Sequence, residues 1–275
     1  MNNQKLKARI TSIRDTVKIT RAMQMIATSK MQKALVKREE SHRFLLEYRK
    51  MMQIIDVDRL HAHMPPPKTT EEAVIVVAGE KGLCGDFNQR ILTFADSYIK
   101  EHHIRHVFAV GYEASEHYKS QNVSLVTDYA HLQEPHAFDA IILANDLLDM
   151  YQNGLFGKVS IIYTKTPSLS GQKPCVMQLW PLVQPEPPIN PVPFEPNTYD
   201  AAVDFYHQYL VAEIYSAMAD SYLAIQYKRM TAMQESSDNG EEMLTLLTKK
   251  YNHQRQESIT NDLITAAASG MRGKI

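Results

Sequence analysis

Leu6-Lys7-Ala8-Arg9-Ile10-Thr11-Ser12-Ile13-Arg14-Asp15-Thr16-Val17-Lys18-Ile19-Thr20 sets the reading of everything around it. Leu6, Ile10, Ile13, Val17 and Thr20 follow one another in alternating steps of four and three, the seam of a helix that packs lengthwise on another. Neither Gly nor Pro occurs between Asn3 and Asp58. The spacing therefore predicts one helix over 3–58, roughly 80 Å long at about 1.5 Å per residue. A helix of that length has little stability alone and needs a long partner. From Ile19 to Ala27 the apolar residues leave the single stripe: Ile19, Ala22, Met23, Met25, Ile26 and Ala27 lie around most of the circumference. Such a helix is expected to be covered on more than one side.

The partner is expected at the other end of the chain. Residues 199–269 contain no Pro, and Phe205, Tyr206, Leu210, Ile214, Met218 and Leu223 populate one side of a helix. Asp238-Asn239-Gly240 either turns the chain there or is tolerated within a helix at a cost of about 1 kcal/mol. Two long terminal helices bracketing one globular unit solve each other's burial problem as an antiparallel coiled coil.

Between them the pattern changes. After Met64-Pro65-Pro66-Pro67, which cannot continue a helix, apolar runs at 73–78, 106–110, 123–126, 138–144 and 159–163 read as strands, with a further one at 175–179. Helices are expected near 87–102 and 112–120. Alternating strands and helices of this kind build a small, largely parallel sheet. The predicted fold class is α/β: a long antiparallel coiled coil plus a small Rossmann-like α/β domain. The segments are an N-terminal helix over 1–60, the α/β domain over 70–184, a stiff Pro-rich connector over 185–198 and a C-terminal helix over 199–275.

The 275 residues are 44% apolar and 22% charged, enough for a sizeable core and without any run long enough to span a membrane. Two cysteines give no disulfide framework and suggest a reducing compartment. No signal peptide is read at the start; the basic first residues continue a helical pattern and are taken as mature protein. The net charge of −1 hides a segregation: +8 over residues 1–59, −10 over 60–227 and +1 over 228–275. Asp15 is the single acid before Glu39, so the basic arm is expected to face an acidic partner, a nucleic acid or an anionic membrane.

Few motifs carry chemistry. Gly79-Glu80-Lys81-Gly82-Leu83-Cys84-Gly85 between a strand and a helix invites a nucleotide reading, but the spacing is not G-x-G-x-x-G and Lys81 is not placed as a Walker lysine. A tight strand-to-helix turn is the simpler reading. The histidines at 61, 63, 102, 103 and 106 lack the four convergent ligands of a zinc site, so neither metal nor cofactor is expected. Asn122-Val123-Ser124 matches a glycosylation acceptor without further support. The methionines around Met23 read either as coiled-coil core or as an adaptable contact surface.

Four ordered blocks then resemble the gamma subunit of F-type ATP synthases. They are Lys18-Ile19-Thr20-Arg21-Ala22-Met23-Gln24-Met25-Ile26-Ala27-Thr28-Ser29-Lys30-Met31; Lys81-Gly82-Leu83-Cys84-Gly85-Asp86-Phe87-Asn88; Arg229-Met230-Thr231-Ala232-Met233 with Ser237-Asp238-Asn239; and Tyr251 to Thr260, with Arg255-Gln256-Glu257-Ser258-Ile259-Thr260 at its end. The resemblance implies a central rotor shaft that couples ion translocation to ATP synthesis or hydrolysis without catalytic residues of its own. It implies as partners a ring of alpha and beta subunits, an epsilon subunit and a membrane ring of c subunits, and so a peripheral place at a membrane. With no presequence read at the start, the cytoplasmic face of a bacterial plasma membrane is expected. By matching position, Met23, Arg229, Arg255, Gln256, Thr260 and Asp262 correspond to shaft–beta contacts, and Lys81 and Cys84 to a loop that approaches an acidic loop of beta. Lys18 and Lys30 would serve the same acidic surface. Two other classes stay open: a nucleotide-dependent enzyme using the Gly79–Gly85 loop, and a coiled-coil nucleic-acid binder, against which the acidic middle segment argues.

Overall fold

The computed structural model describes residues 3–54, 67–121, 123–129, 134–169, 171–182 and 199–272. The element order is α1 (Asn3–Ile54), β1 (Glu72–Val77), α2 (Phe87–Glu101), β2 (His106–Val110), α3 (Tyr112–Lys119), β3 (Ser124–Tyr129), α4 (Ala137–Gln152), β4 (Lys158–Lys165), β5 (Lys173–Trp180) and α5 (Tyr199–Arg272). The histidines at 61 and 63, the Met64-Pro65-Pro66 break, Asn122 and the Pro-rich 185–198 segment lie outside the described residues. Two compact units result, Met1–Ala27 with Met230–Ile275 and Thr28–Arg229.

In the larger unit five strands form one sheet in the order β3-β2-β1-β4-β5, parallel except for β5, which runs antiparallel to β4. Strand alternation sends Ala73, Ile75 and Val77 to one face and Val74 and Val76 to the other. The first face packs on α4 and on Tyr206, Leu210 and Ile214 of α5. The second packs on Phe87, Ile91 and Ala95 of α2 and on Ala114 and Tyr118 of α3. β1 is buried on both faces, so it reads as an unbroken apolar run rather than an alternating one.

The strand expected at 138–144 is instead the first half of α4. Its buried residues are Ala140, Leu143, Ala144, Leu147, Leu148 and Tyr151, a helical spacing that a short apolar window hides. His136 and Asp139 form a capping box at its start, with the His136 N–H donating to Asp139 Oδ2 at 2.8 Å.

Within this unit the two long helices run antiparallel: Ala34 packs with Tyr222 and Leu223, while Tyr48 approaches Phe205 with ring centroids 6.1 Å apart. The acids of their polar seam are buried and its cations are partly exposed. Asp220 accepts from Arg38 Nε at 2.5 Å and lies 3.3 Å from His42 Nε2, and Glu213 receives Arg49 at 3.0 Å and the Tyr209 hydroxyl at 2.8 Å. Both carboxylates are almost wholly buried, and each is satisfied by cations from α1.

The smaller unit consists of the first half of α1 against the second half of α5. Leu6, Ile10, Val17, Thr20 and Ala27 are buried along α1, as are Met233 and Ser237 on α5. Arg21 pairs with Glu241 across the helices. Asp238-Asn239-Gly240 does not turn the chain; α5 runs through it. Gly240 sits where a Cβ would come 2.4 Å from Val17 Cγ2, so its missing side chain permits close approach.

Candidate functional site

Three of the site residues, Lys81, Cys84 and Arg229, meet around the turn between β1 and α2. Gly79 N–H donates to Asn88 Oδ1 at 3.0 Å, and a Cβ on Gly79 would sit 2.6 Å from that oxygen. Leu83 and Gly85 both take positive φ, +61° in each case, so the backbone enters the left-handed region twice within three residues. This geometry points Leu83 outward and the Cys84 side chain inward, where the thiol is buried and faces Lys81 O at 3.9 Å. Burial pushes the Cys84 thiol up, opposed by the nearby Arg229 charge. Arg229 clamps the loop from α5: Nη2 donates to Lys81 O at 3.1 Å and Nη1 to Gln226 Oε1 at 3.1 Å. Lys228 donates to Asp86 Oδ1 at 3.2 Å. Burial would raise the Asp86 pKa, but this hydrogen bond and charge, with Arg90, hold it below the usual carboxylate range.

Lys30, Lys81 and Arg229 line one cavity of about 60 Å³ over the carboxyl ends of β1 and β2. The sequence reading missed its other polar walls, Glu80, Ser221, Tyr222 and Gln226. Their signal was present: Asp220, Ser221 and Gln226 are polar residues buried in a helix, at positions an apolar stripe would otherwise fill.

Lys18, Met23, Arg255, Gln256, Thr260 and Asp262 fall in the two-helix unit. Lys18 is exposed and pairs with Asp15 at 3.1 Å, and Met23 is half-buried. Arg255, Gln256, Thr260 and Asp262 are exposed on α5, with the Thr260 hydroxyl donating to Gln256 O at 2.9 Å. Because Val17 opposes Gly240, Arg255 lies fifteen residues further along α5, about 22 Å from that crossing. Met23 and the Arg255 group therefore sit at two separate levels. The side of α1 expected to be covered is open in this chain: Ile19, Met25 and Ile26 are 60%, 67% and 58% exposed.

His102 closes α2, its N–H donating to Tyr98 O at 3.0 Å and its ring stacked on Tyr98 at 4.1 Å. Among the described residues no group of three or more His, Cys, Asp or Glu side chains could hold a metal. No described helix is long and apolar enough to cross a membrane.

Comparison with known proteins covers nearly the whole chain. A family model described as ATP synthase matches residues 2–270. The ATP synthase gamma chain of Ruminococcus albus is 30% identical over 283 residues, covering 98% of each chain. The chain belongs to the ATP synthase gamma-chain family. The gamma chain of Heliobacterium modesticaldum is 31% identical over 278 residues, covering 94% of each. Among solved structures, a chain of the Euglena gracilis mitochondrial ATP synthase, in its OSCP/F1/c-ring structure, aligns with a TM-score of 0.67 at 14% identity, over 99% of this chain and 96% of that one. A chain from the central stalk/c-ring structure of the Tetrahymena thermophila enzyme gives 0.62 at 18% identity, over 80% and 99%. These two establish a shared fold. As a gamma chain the protein is a subunit of an ATP synthase complex; nothing in the comparisons supports a free-standing nucleotide enzyme.

Proposed function

We propose that this gamma chain is the central-stalk rotor that couples ion translocation through a membrane ring to ATP synthesis or hydrolysis on the beta subunits. It contributes no reacting group. A shaft orientation biases a catalytic site only if it contacts that site's open and closed states differently, and an asymmetric shaft does this for three sites in turn. The observation that carries the reading is the open apolar surface of the two-helix unit: Ile19, Met25 and Ile26 on α1, and Leu246, Ile259, Leu263 and Ile264 on α5. Paired helices that worked alone in water would keep such side chains covered. Beside them stand the basic residues Lys18, Arg14 and Arg9, suited to acidic loops on surrounding subunits.

In this reading residues 1–60 and 199–275 form the shaft, 70–184 the foot near an epsilon subunit and the c ring, and 185–198 a stiff connector. Met23 and its apolar neighbours act as a bearing, because thioethers slide without rigid shape demands. Arg255, Gln256, Thr260 and Asp262 supply angle-dependent hydrogen bonds to beta at a second level. At the loop, Leu83 and Lys81 offer the contact while the buried Cys84 holds the turn. The complex sits peripherally on a membrane, on the cytoplasmic face in a bacterium.

Met23→Lys tests the assignment in the intact membrane-bound complex. Ion pumping per ATP hydrolysed should fall severalfold while assembly and hydrolysis persist; unchanged coupling would remove the bearing role from this collar.

A further inference from the structure

The cavity beside the Gly79–Gly85 loop has a chemistry that the coupling role does not use. It lies outside the carboxyl ends of β1 and β2, next to the point where the strand order reverses from β2-β1 to β1-β4, the place where open α/β sheets receive ligands. Its volume of about 60 Å³ is ample for a tetrahedral oxyanion. Three cationic side chains, Lys30, Lys81 and Arg229, line it with one carboxylate, Glu80. Arg229 is held in place by its bonds to Lys81 O and Gln226 Oε1, so its charge is fixed at the wall.

Two polar atoms at this cavity lack partners. Glu80 Oε2 is shielded from solvent and makes no hydrogen bond. The Tyr222 hydroxyl is buried beside the Gln226 side chain without completing a hydrogen bond of good geometry. An unpaired buried carboxylate oxygen is costly, and three cations at hand have not captured it. What it lacks is a donor that arrives with the negative charge the cations want. Tyr222, its pKa pushed up to about 12 mainly by burial, remains a donor at neutral pH.

We infer that this cavity is a site for monohydrogen phosphate, whose P–OH donates to Glu80 while its anionic oxygens accept from Lys30, Lys81, Arg229 and Tyr222. The two negative charges match the wall's three positive and one negative. The carboxylate gives the site its selectivity. At neutral pH phosphate retains a proton and sulfate has none, so sulfate would set an oxyanion against Glu80 with no hydrogen between them. All the residues lie within the unit Thr28–Arg229, and the inference stands or falls separately from the rotor assignment.

Calorimetric titration of the full-length chain is the direct test, because the assembled enzyme would add the phosphate sites of other subunits. Inorganic phosphate should bind, with sulfate roughly tenfold weaker or more, the discrimination expected when a site's hydrogen-bonding group is left unmatched. AMP should give no comparable heat. Glu80→Gln, which supplies a donor in place of the acceptor, should weaken phosphate and strengthen sulfate, collapsing the ratio, while circular dichroism shows the fold intact. Tyr222→Phe should weaken both anions alike. No phosphate binding up to about 10 mM, a Kd too weak to matter, would overturn the inference. So would equal affinity for phosphate and sulfate in the native chain, an anion ratio unmoved by Glu80→Gln, or AMP binding as tightly as phosphate.

Discussion

Asp220 shows what a single buried charge does in this fold. Its carboxylate receives Arg38 and His42 from α1, and its backbone carbonyl accepts the Thr166 hydroxyl at 3.1 Å from the end of β4, so one residue ties the shaft helices to the sheet within their unit. Asp220→Ala leaves Arg38 without its counter-charge and should lower the unfolding free energy by about 3 kcal/mol or more in urea titrations. The pair Arg38→Met with Asp220→Leu should cost less than that single change, since it removes both charges; an equal or larger loss would show that the packing, not the charge, was at stake. Cys84 gives a second prediction. Its pKa is raised by burial, so the unfolded chain releases the thiol proton first. Stability from this group is complete below the ordinary thiol range and is lost as pH rises above about 8.5. Iodoacetamide at pH 8 should label Cys84 only on unfolding, with mass spectrometry as the readout, and rapid labelling of the native chain would contradict the buried placement. The motif around Cys84 was visible in sequence, but its direction was not. That direction follows from the positive φ of Leu83, which no residue type announces.

At the scale of elements, long periods were easy to read and short ones were not. Within the described residues, α1, α2, β1 and β2 fall where spacing puts them, because each has either many turns of one period or a run buried on both sides; 55–58, expected to continue α1, lie outside those residues. The segment from Phe138 to Ala144 misleads because its seven residues contain six apolar ones, which mask the helical stripe that becomes clear only when Leu147, Leu148 and Tyr151 are added. Exposed Phe138 is the residue most responsible. Gly240 was ambiguous for a different reason: helix propensity treats glycine as a fault, whereas here the facing Val17 methyl needs the space. Gly240→Ala would add about 1 kcal/mol of helix propensity in an isolated peptide. In this chain it should instead lower stability by about 1–3 kcal/mol, as overpacking does, because the β-branched Val17 has little rotamer freedom to yield. Thermal melts should show the loss, and Val17→Ala in the same chain should recover much of it. Stabilisation by Gly240→Ala alone would refute the close crossing.

At the scale of the whole molecule, the basic arm and the open apolar residues belong to one argument. Residues 1–59 carry fourteen Lys and Arg against six acids, a net of +8. The same arm leaves Ile19, Met25 and Ile26 exposed. Composition could show the charge, and periodicity could show that the apolar residues leave their stripe. Neither could say whether the extra side is covered by this chain or by another, since that depends on where α5 lies against α1. A rotor needs a surface that is apolar enough to turn and charged enough to be held, and the family to which the chain belongs supplies the setting. The most direct test is rotation itself. The complex would be fixed through its catalytic ring, and a probe attached by Lys119→Cys, an exposed site, in a chain that also carries Cys175→Ala, since Cys84 is buried and Cys175 only half-buried. On addition of ATP the probe should turn in one direction, in step with hydrolysis. ATP consumed at the full rate with the probe stationary would contradict the account.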